Sequence, residues 1–489
     1  GLRVTAVKID PYLNVDAGTL SPEEHGEVFV LEDGSEVDLD FGNYERDLGL
    51  RLSGVHSITS GNIFSKVLRD EREGAHLGQT VRLAIHVVDA IIGAIKQAAQ
   101  TPVQGERPDV CLLEVGGAVG DWDAEVFIEA LRKMRRDADN SMAVCLLVPI
   151  VVWAGEQKTK LAQDSIRTLR SCGLPPDFLI CRTGQSLVAA TRRKLSRLGE
   201  IAEDALWEST DMADLRGLPH HFHEQGVAHA LCKHLNLALL MLPQLELPLT
   251  LGSGRRSLRI GIVGKYNHKN AYLSVHRALN HASLQVGAPI DVELCSVGSS
   301  CLENDLDATL KSLTSFDAIC VPGGFGSRGF EEKVHVARCC WSLGVPFLGV
   351  CLGFHAAVVA CCRDVLEMRA ATSEEFAPDA VEMAVIVKRL GGQMRKGTHG
   401  VRFAHGSLLR TLYRSDVASE RFRHRFEVRS DVASLLCDAG FVLSSGIDGS
   451  VDSLESARPG PLFVGTQYHP EFSSSQQKAS PVFVGLLEA

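Results

Sequence analysis

Eight short, nearly continuous apolar runs, each closed by turn residues, constrain this chain more than any other feature. In the first half they are VTAVKID (Val4–Asp10), VCLLEVGG (Val110–Gly117), AVCLLVPIVV (Ala143–Val152) and DFLICR (Asp177–Arg182). In the second half they are LRIGIVGKY (Leu258–Tyr266), FDAICVPGGFG (Phe316–Gly326), VPFLGVCLG (Val345–Gly353) and LFVGTQYHPEF (Leu462–Phe472). Runs that do not alternate polar with apolar read as strands buried on both faces, the pattern of parallel sheets covered by helices. Helical spacing fills the gaps, as in TVRLAIHVVDAIIGAIKQAA and AEVFIEALRKMRR. The fold class is therefore α/β, with two doubly wound parallel-sheet domains. QLELPLTLGSGRRS interrupts the series with Pro, Gly and Ser. It places a first domain at 1–243, a linker at 244–257 and a second domain at 258–489. Ligands of such sheets gather at the carboxyl ends of the strands.

Bulk properties exclude several classes. A formal net charge of -10 argues against a nucleic-acid partner, because such proteins present basic faces. No apolar run reaches membrane-spanning length, so no membrane partner is expected. The 14 Cys show neither paired C-x-x-C nor Cys/His metal spacing, which fits reduced thiols in a cytoplasmic enzyme.

One of those thiols stands apart. In FLGVCLGFHAA, Cys351 lies between Gly349 and Gly353, where an apolar run ends and a helical pattern begins. G-x-C-x-G has the form of a nucleophile elbow, whose turn is so tight that it needs glycine on both sides. A thiol nucleophile needs a base, and the base needs an orienting group. QYHPEF supplies His469 and Glu471 at the end of the last apolar run, with Pro470 stiffening the turn between them. VPGGFG supplies Gly323 and Gly324, whose backbone N–H groups, with that of Leu352, would face a developing oxyanion. Taken singly, the histidine is a loop histidine and VPGGFG a tight turn. Together they fill the separate roles of a Cys-His-Glu amidase.

VPGGFG, GVCLG and HPE in that order resemble the class I glutamine amidotransferase domain. IVGKY, RHRFEV and YHPEF are similar to its CTP synthase branch, as are the stretch from Lys8 to Arg46, GGAVGD and GEQKTK. The resemblance runs from Leu2 to Ala489. It implies a P-loop-like amidoligase (synthase) domain followed by the amidotransferase domain. The implied reaction is ATP-dependent amination of UTP to CTP: ATP phosphorylates the uracil 4-oxygen, and ammonia from glutamine displaces the phosphate. Cys351 would be the nucleophile, His469 the base and Glu471 its orienter. Gly324, Leu352 and His355 fall at positions that contact glutamine, while Glu375 and Arg425 match the groups that grip its ammonium and carboxylate.

In the synthase half the resemblance makes Asp40 and Glu114 ligands of Mg²⁺, and hard carboxylate oxygens suit that ion. Lys8 would lie near the ATP phosphates, and Thr210, Asp211 and Met212 along the adenine. Lys158, Thr159, Lys160, Leu161, Ala162 and Gln163 of KTKLAQ, with Lys194, match the UTP site. Asp121, Trp122 and Asp123 of GDWD match the segment that meets CTP as a feedback inhibitor. His86 falls near the entrance of an ammonia passage that must exclude water. The resemblance also implies GTP as allosteric activator, a homotetramer and filaments.

The chain departs from the family pattern in places. A glycine-rich phosphate loop is expected upstream of Gly1. GMQ reads Gly353-Phe354-His355, KTKPTQ reads KTKLAQ, GDIES reads GDWDA, and Ile85 replaces a Pro before His86. Two other readings are compatible with these motifs: another amidotransferase-linked ligase with a different acceptor, and a degenerate structural or filament-forming homologue.

Overall fold

A computed structural model describes residues 2–137, 141–212, 215–238, 256–296, 313–379, 385–389, 391 and 394–489. All but the last two residues of the expected linker lie outside them. The chain divides into two compact units, Gly1–Asp16 with Val55–Thr250, and Ala17–Gly54 with Leu251–Ala489. The segment 17–54, expected within the first domain, is thus part of the second unit. Among the described residues no helix is long and apolar enough to cross a membrane.

In the first unit, strands β1 (Val4–Asp10), β2 (Ser57–Thr59) and β3 (Val110–Val115) form a parallel sheet in the order β2-β1-β3. Strands β4 (Cys145–Trp153), β5 (Glu156–Lys158), β6 (Phe178–Thr183) and β7 (Leu206–Thr210) form a second sheet, β5-β4-β6-β7. It is parallel apart from the β4–β5 hairpin. The apolar runs predicted strands buried on both faces, and here the structure differs. Leu112 and Leu147 are 48% and 63% exposed: β4 buries alternate residues only, and β3 alternates half-buried with exposed residues from Cys111 onward. One face packs into the core formed with helices α1 (Ser60–Arg72), α2 (Val88–Gln100), α3 (Glu125–Arg136) and α4 (Lys160–Ser171).

The second unit is built on a nine-stranded sheet. Its strands are β8 (Leu258–Gly264), β9 (Ile290–Ser296), β10 (Ala318–Val321), β11 (Phe347–Val350), β12 (Arg395–Arg402), β13 (Val417–His424), β14 (Phe441–Gly446), β15 (Val451–Ser456) and β16 (Phe463–Thr466). Their order is β9-β8-β10-β11-β16-β15-β14-β12-β13. The first five are parallel, and every residue of β10, β11 and β16 is buried, as their unbroken apolar character requires. The other four are antiparallel. The sheet is therefore doubly wound only in part: short turns join β14, β15 and β16, and short turns make antiparallel neighbours. Phe347 and Phe463 stack at 4.9 Å across the β11–β16 pair, fixing which strands lie side by side.

Candidate active site

Strand order brings the site together. Val321 of β10 pairs with Gly349 of β11, and Val350 of β11 pairs with Thr466 of β16. All three strands run the same way, so Pro322–Gly324, Cys351 and Gln467–Glu471 all follow the carboxyl ends of neighbouring strands.

Cys351 stands between β11 and helix α5 (Leu352–Asp364) with φ 52° and ψ −101°. A side chain at positive φ is strained by about 1–3 kcal/mol, a cost that must be offset by the surrounding packing. Three anchors hold it. Its N–H donates to the Thr466 carbonyl at 2.7 Å, and its own carbonyl accepts from His355 at 3.0 Å. The third is close approach: a Cβ on Gly353 would lie 2.0 Å from the Val321 oxygen, and one on Gly349 2.5 Å from the Gly353 oxygen. Both flanking glycines are thus dictated by space.

His469 and Glu471 form a buried pair, with His469 Nδ1 donating to Glu471 Oε1 at 2.7 Å. The His469 ring stacks on Phe472 at 4.9 Å, and its backbone N–H donates to the Arg421 carbonyl. A Cβ placed on Gly323 would stand 3.0 Å from His469 Cε1 and 3.5 Å from Cys351 Cβ, so thiol and imidazole flank one point. Burial pushes the imidazole down, but the Glu471 carboxylate and the Cys351 sulfur more than offset it and lift His469 to about 10. A protonated imidazole beside the sulfur can act as a proton donor there. Leu352 opens α5, so its N–H has no intrahelical acceptor and is available to an oxyanion.

The glutamine-contacting candidates cluster around the VPGGFG loop. Glu375 accepts from the Gly326 N–H at 2.9 Å, and burial raises its carboxyl above the usual range. Arg425 is exposed, stands over the Phe325 ring at 5.7 Å and makes no ion pair among the described residues. A cation of this kind is free to take an α-carboxylate. His355 is placed differently from a surface contact: it is 3% exposed and its Nε2 bonds Gln467 Oε1 at 2.7 Å.

Several residues of this site carry no sequence signal of their own. Lys333 is wholly buried and donates to the Pro322 carbonyl at 2.8 Å, while Lys265 binds the carbonyls of Phe325 and Gly326. These two ammonium groups hold the loop oxygens inward. Burial drives Lys333 down to about 7 and Lys265 to about 8. Glu36, from segment 17–54, pairs with Arg423 at 2.8 Å and Lys396 at 2.9 Å. Lys265 lies within the quoted IVGKY, whereas Lys333 sits among apolar helical neighbours where only a buried partner explains a lysine.

In the first unit, Lys8 and Glu114 are register partners at the ends of β1 and β3. The Lys8 ammonium lies 2.7 Å from Asp10 and 3.8 Å from Glu114. Asp40 opens the helix Asp40–Leu48 of the second unit, its N–H bonded to Asp38. Asp40 and Glu114 belong to different units, and each by itself is a hard oxygen donor of the kind Mg²⁺ takes. Among the described residues no group of three or more His, Cys, Asp or Glu is placed to hold a metal ion. Lys158, Thr159 and Lys160 lead into α4. Lys158 pairs with Glu156 and Lys160 with Asp164, at 2.5 and 2.9 Å, while buried Thr159 accepts from Gln163 at 2.6 Å. Leu161 is exposed, Ala162 buried and Lys194 exposed. Asp121 accepts from the Ala118 N–H, and Trp122 is 89% exposed beside exposed Asp123. Thr210 ends β7, Asp211 pairs with Arg182 at 2.6 Å, and half-buried Met212 follows. His86 is in a π-helical turn, Leu83–Val87, where its Nδ1 accepts from the Arg82 N–H at 3.0 Å; it is half-buried rather than core.

Comparison with known proteins identifies the family. Residues 1–237 match the family described as CTP synthase N-terminus, and residues 268–489 match glutamine amidotransferase class-I. The CTP synthase of Haloarcula hispanica is 40% identical over all of this chain and 89% of its own length. Those of Methanosphaerula palustris and Methanopyrus kandleri are 38% and 40% identical over all of this chain and 93% of theirs. The chain belongs to the CTP synthase family.

Proposed function

We propose that Cys351, His469 and Glu471 release ammonia from glutamine for the synthase half of the same chain. The overall reaction is that of the family, ATP-dependent amination of UTP to CTP with nitrogen taken from glutamine. The observation that carries the assignment is the strained elbow of Cys351 beside the buried His469–Glu471 pair, the two flanking Gly323.

In this reading Glu375 takes the ammonium and Arg425 the carboxylate of glutamine. The thiolate of Cys351 attacks the carboxamide carbon. The oxygen that becomes negative faces the N–H groups of Gly324 and Leu352. His469 gives its proton to the departing nitrogen, leaving a glutamyl thioester and free ammonia. Water, deprotonated by the now neutral His469, then cleaves the thioester to glutamate and regenerates the thiol. Glu471 keeps the ring oriented throughout, as the third member of a triad does.

Lys8, Lys158, Lys160 and Lys194 would hold nucleotide phosphates in the synthase half, with Thr159, Gln163 and Leu161–Ala162 along UTP and Thr210–Met212 along the adenine. Asp40 and Glu114 would hold Mg²⁺, which when bound neutralises phosphate charge. Family membership also supports feedback by CTP at Asp121–Asp123, activation by GTP, a homotetramer and a cytoplasmic location. The test is Cys351→Ala in the full chain assayed for CTP with glutamine or with ammonium salts. Loss with glutamine and rescue by ammonia is expected. Equal loss with both nitrogen sources overturns the division of labour.

A further inference from the structure

The Cys351 sulfur has a second set of partners, on residues the triad does not use. Gln467 is fully buried in the turn after β16, where its N–H donates to the Asp452 carbonyl at 2.8 Å. Its side-chain Nε2 lies 3.7 Å from Cys351 Sγ, within hydrogen-bond reach for sulfur. Its Oε1 is 2.7 Å from Nε2 of His355, one helical turn after the nucleophile. The sulfur also lies 3.7 Å from the Arg423 carbonyl, which accepts from a thiol S–H. One neighbour therefore suits the protonated sulfur and the other the ionised sulfur.

We propose that Gln467 is a further catalytic residue, donating to the Cys351 thiolate, and that His355 is the positioning residue that orients its amide. The proposal rests on the assignment of Cys351 as nucleophile. An amide can present either its NH₂ or its oxygen to the sulfur, and only the NH₂ stabilises negative charge. Occupying Oε1 with a donor selects that orientation. His355 provides one through Nε2–H. Burial holds this imidazole down at about 4, so it stays neutral across the neutral range rather than acting as a second base, and the tautomer with hydrogen on Nε2 is the one the proposal requires. This also accounts for GFH where glutamine would stand in the family pattern: the side chain turns into the interior, toward the thiol's support, not toward the substrate.

The experiment uses the full chain with Gln467→Leu, His355→Phe and His355→Gln. Glutamine hydrolysis is measured alongside the pH profile of Cys351 alkylation by iodoacetamide, followed by peptide mass mapping without glutamine present. A charge-assisted hydrogen bond predicts that the first two variants lower kcat about 10- to 100-fold with KM within about twofold. The same loss moves the alkylation midpoint upward by about one pH unit. His355→Gln, which keeps a donor, restores both. Two results overturn the proposal: an unmoved alkylation profile in Gln467→Leu, or a rise in KM at constant kcat in His355→Phe, which would make His355 a glutamine contact. Thermal midpoints of all three report folding, and the conservative variant decides if either apolar variant unfolds. Failure of the underlying assignment reads differently, as hydrolysis surviving Cys351→Ala.

Discussion

Replacing Glu471 by Gln removes one charge at nearly constant volume from a pair that water does not reach. The carboxylate lies 2.7 Å from His469 Nδ1 and is the chief influence lifting that imidazole to about 10 against the effect of burial. Without it, burial dominates and the ring stays neutral near pH 7. The proton needed by the departing nitrogen is then missing, and the thiolate loses its counter-charge. Removing the orienting carboxylate of a triad costs about 10⁴-fold, and general acid–base assistance alone is worth about 10²–10⁴-fold. A loss of about 10³-fold in glutamine-supported CTP formation is expected, with ammonia supporting synthesis. The assay compares the two nitrogen sources from pH 6.5 to 9.5. The stability consequence has a definite sign. A histidine raised above its usual 6.5 contributes fully below that value, and the contribution is lost as pH rises toward about 10. The stability difference between the natural chain and Glu471→Gln therefore shrinks across that window. Retention of more than a tenth of the glutamine-supported rate would refute the reasoning.

Lys333→Met tests the opposite slope. Lys333 is depressed to about 7 from an ordinary 10.5, so the natural chain gains stability relative to the variant by about 1.4 kcal/mol per pH unit between those values. Urea midpoints at pH 7 and 9.5 check it, and a parallel pair of profiles speaks against a buried ammonium. Gly353→Ala drives a Cβ to 2.0 Å from the Val321 oxygen, so the elbow must open. Soluble protein with glutaminase below about a hundredth of normal is expected, and unimpaired hydrolysis would mean the turn is not tight. Arg421→Met strips Glu45 of a partner at 2.8 Å in a pair where both side chains are 2% exposed. Breaking such a pair costs about 3–5 kcal/mol, seen as a lower thermal midpoint, and an unchanged midpoint would show that the pair contributes nothing.

Much of the site was legible in the residues themselves. The elbow glycines, the thiol and the His-Pro-Glu turn are local patterns, set by neighbours two to four positions away, and the structure carries each of them at a strand end. The burial of β10, β11 and β16 follows from the same runs. In the first unit β1 is buried as its run requires, but the exposure of β3 and β4 was misread, because an apolar run reports what a strand is able to bury and not what covers it. Leu112 and Leu147 show the difference.

Sequence by itself determined the strands, the helices and the chemistry at their ends, since periodicity and turn residues record short-range sterics. Tertiary structure alone decided the rest. The parallel pairing of β11 with β16 brings Gln467 to a sulfur 116 positions away and to a histidine 112 positions away. Tertiary contacts also place segment 17–54 in the second unit, where buried Glu45 meets Arg421 and Glu36 meets Arg423. A lone charged residue reads as solvated until its partner is known, and partners this distant leave no local trace. Only the fold, by choosing which strands are neighbours, determines which of these groups meet.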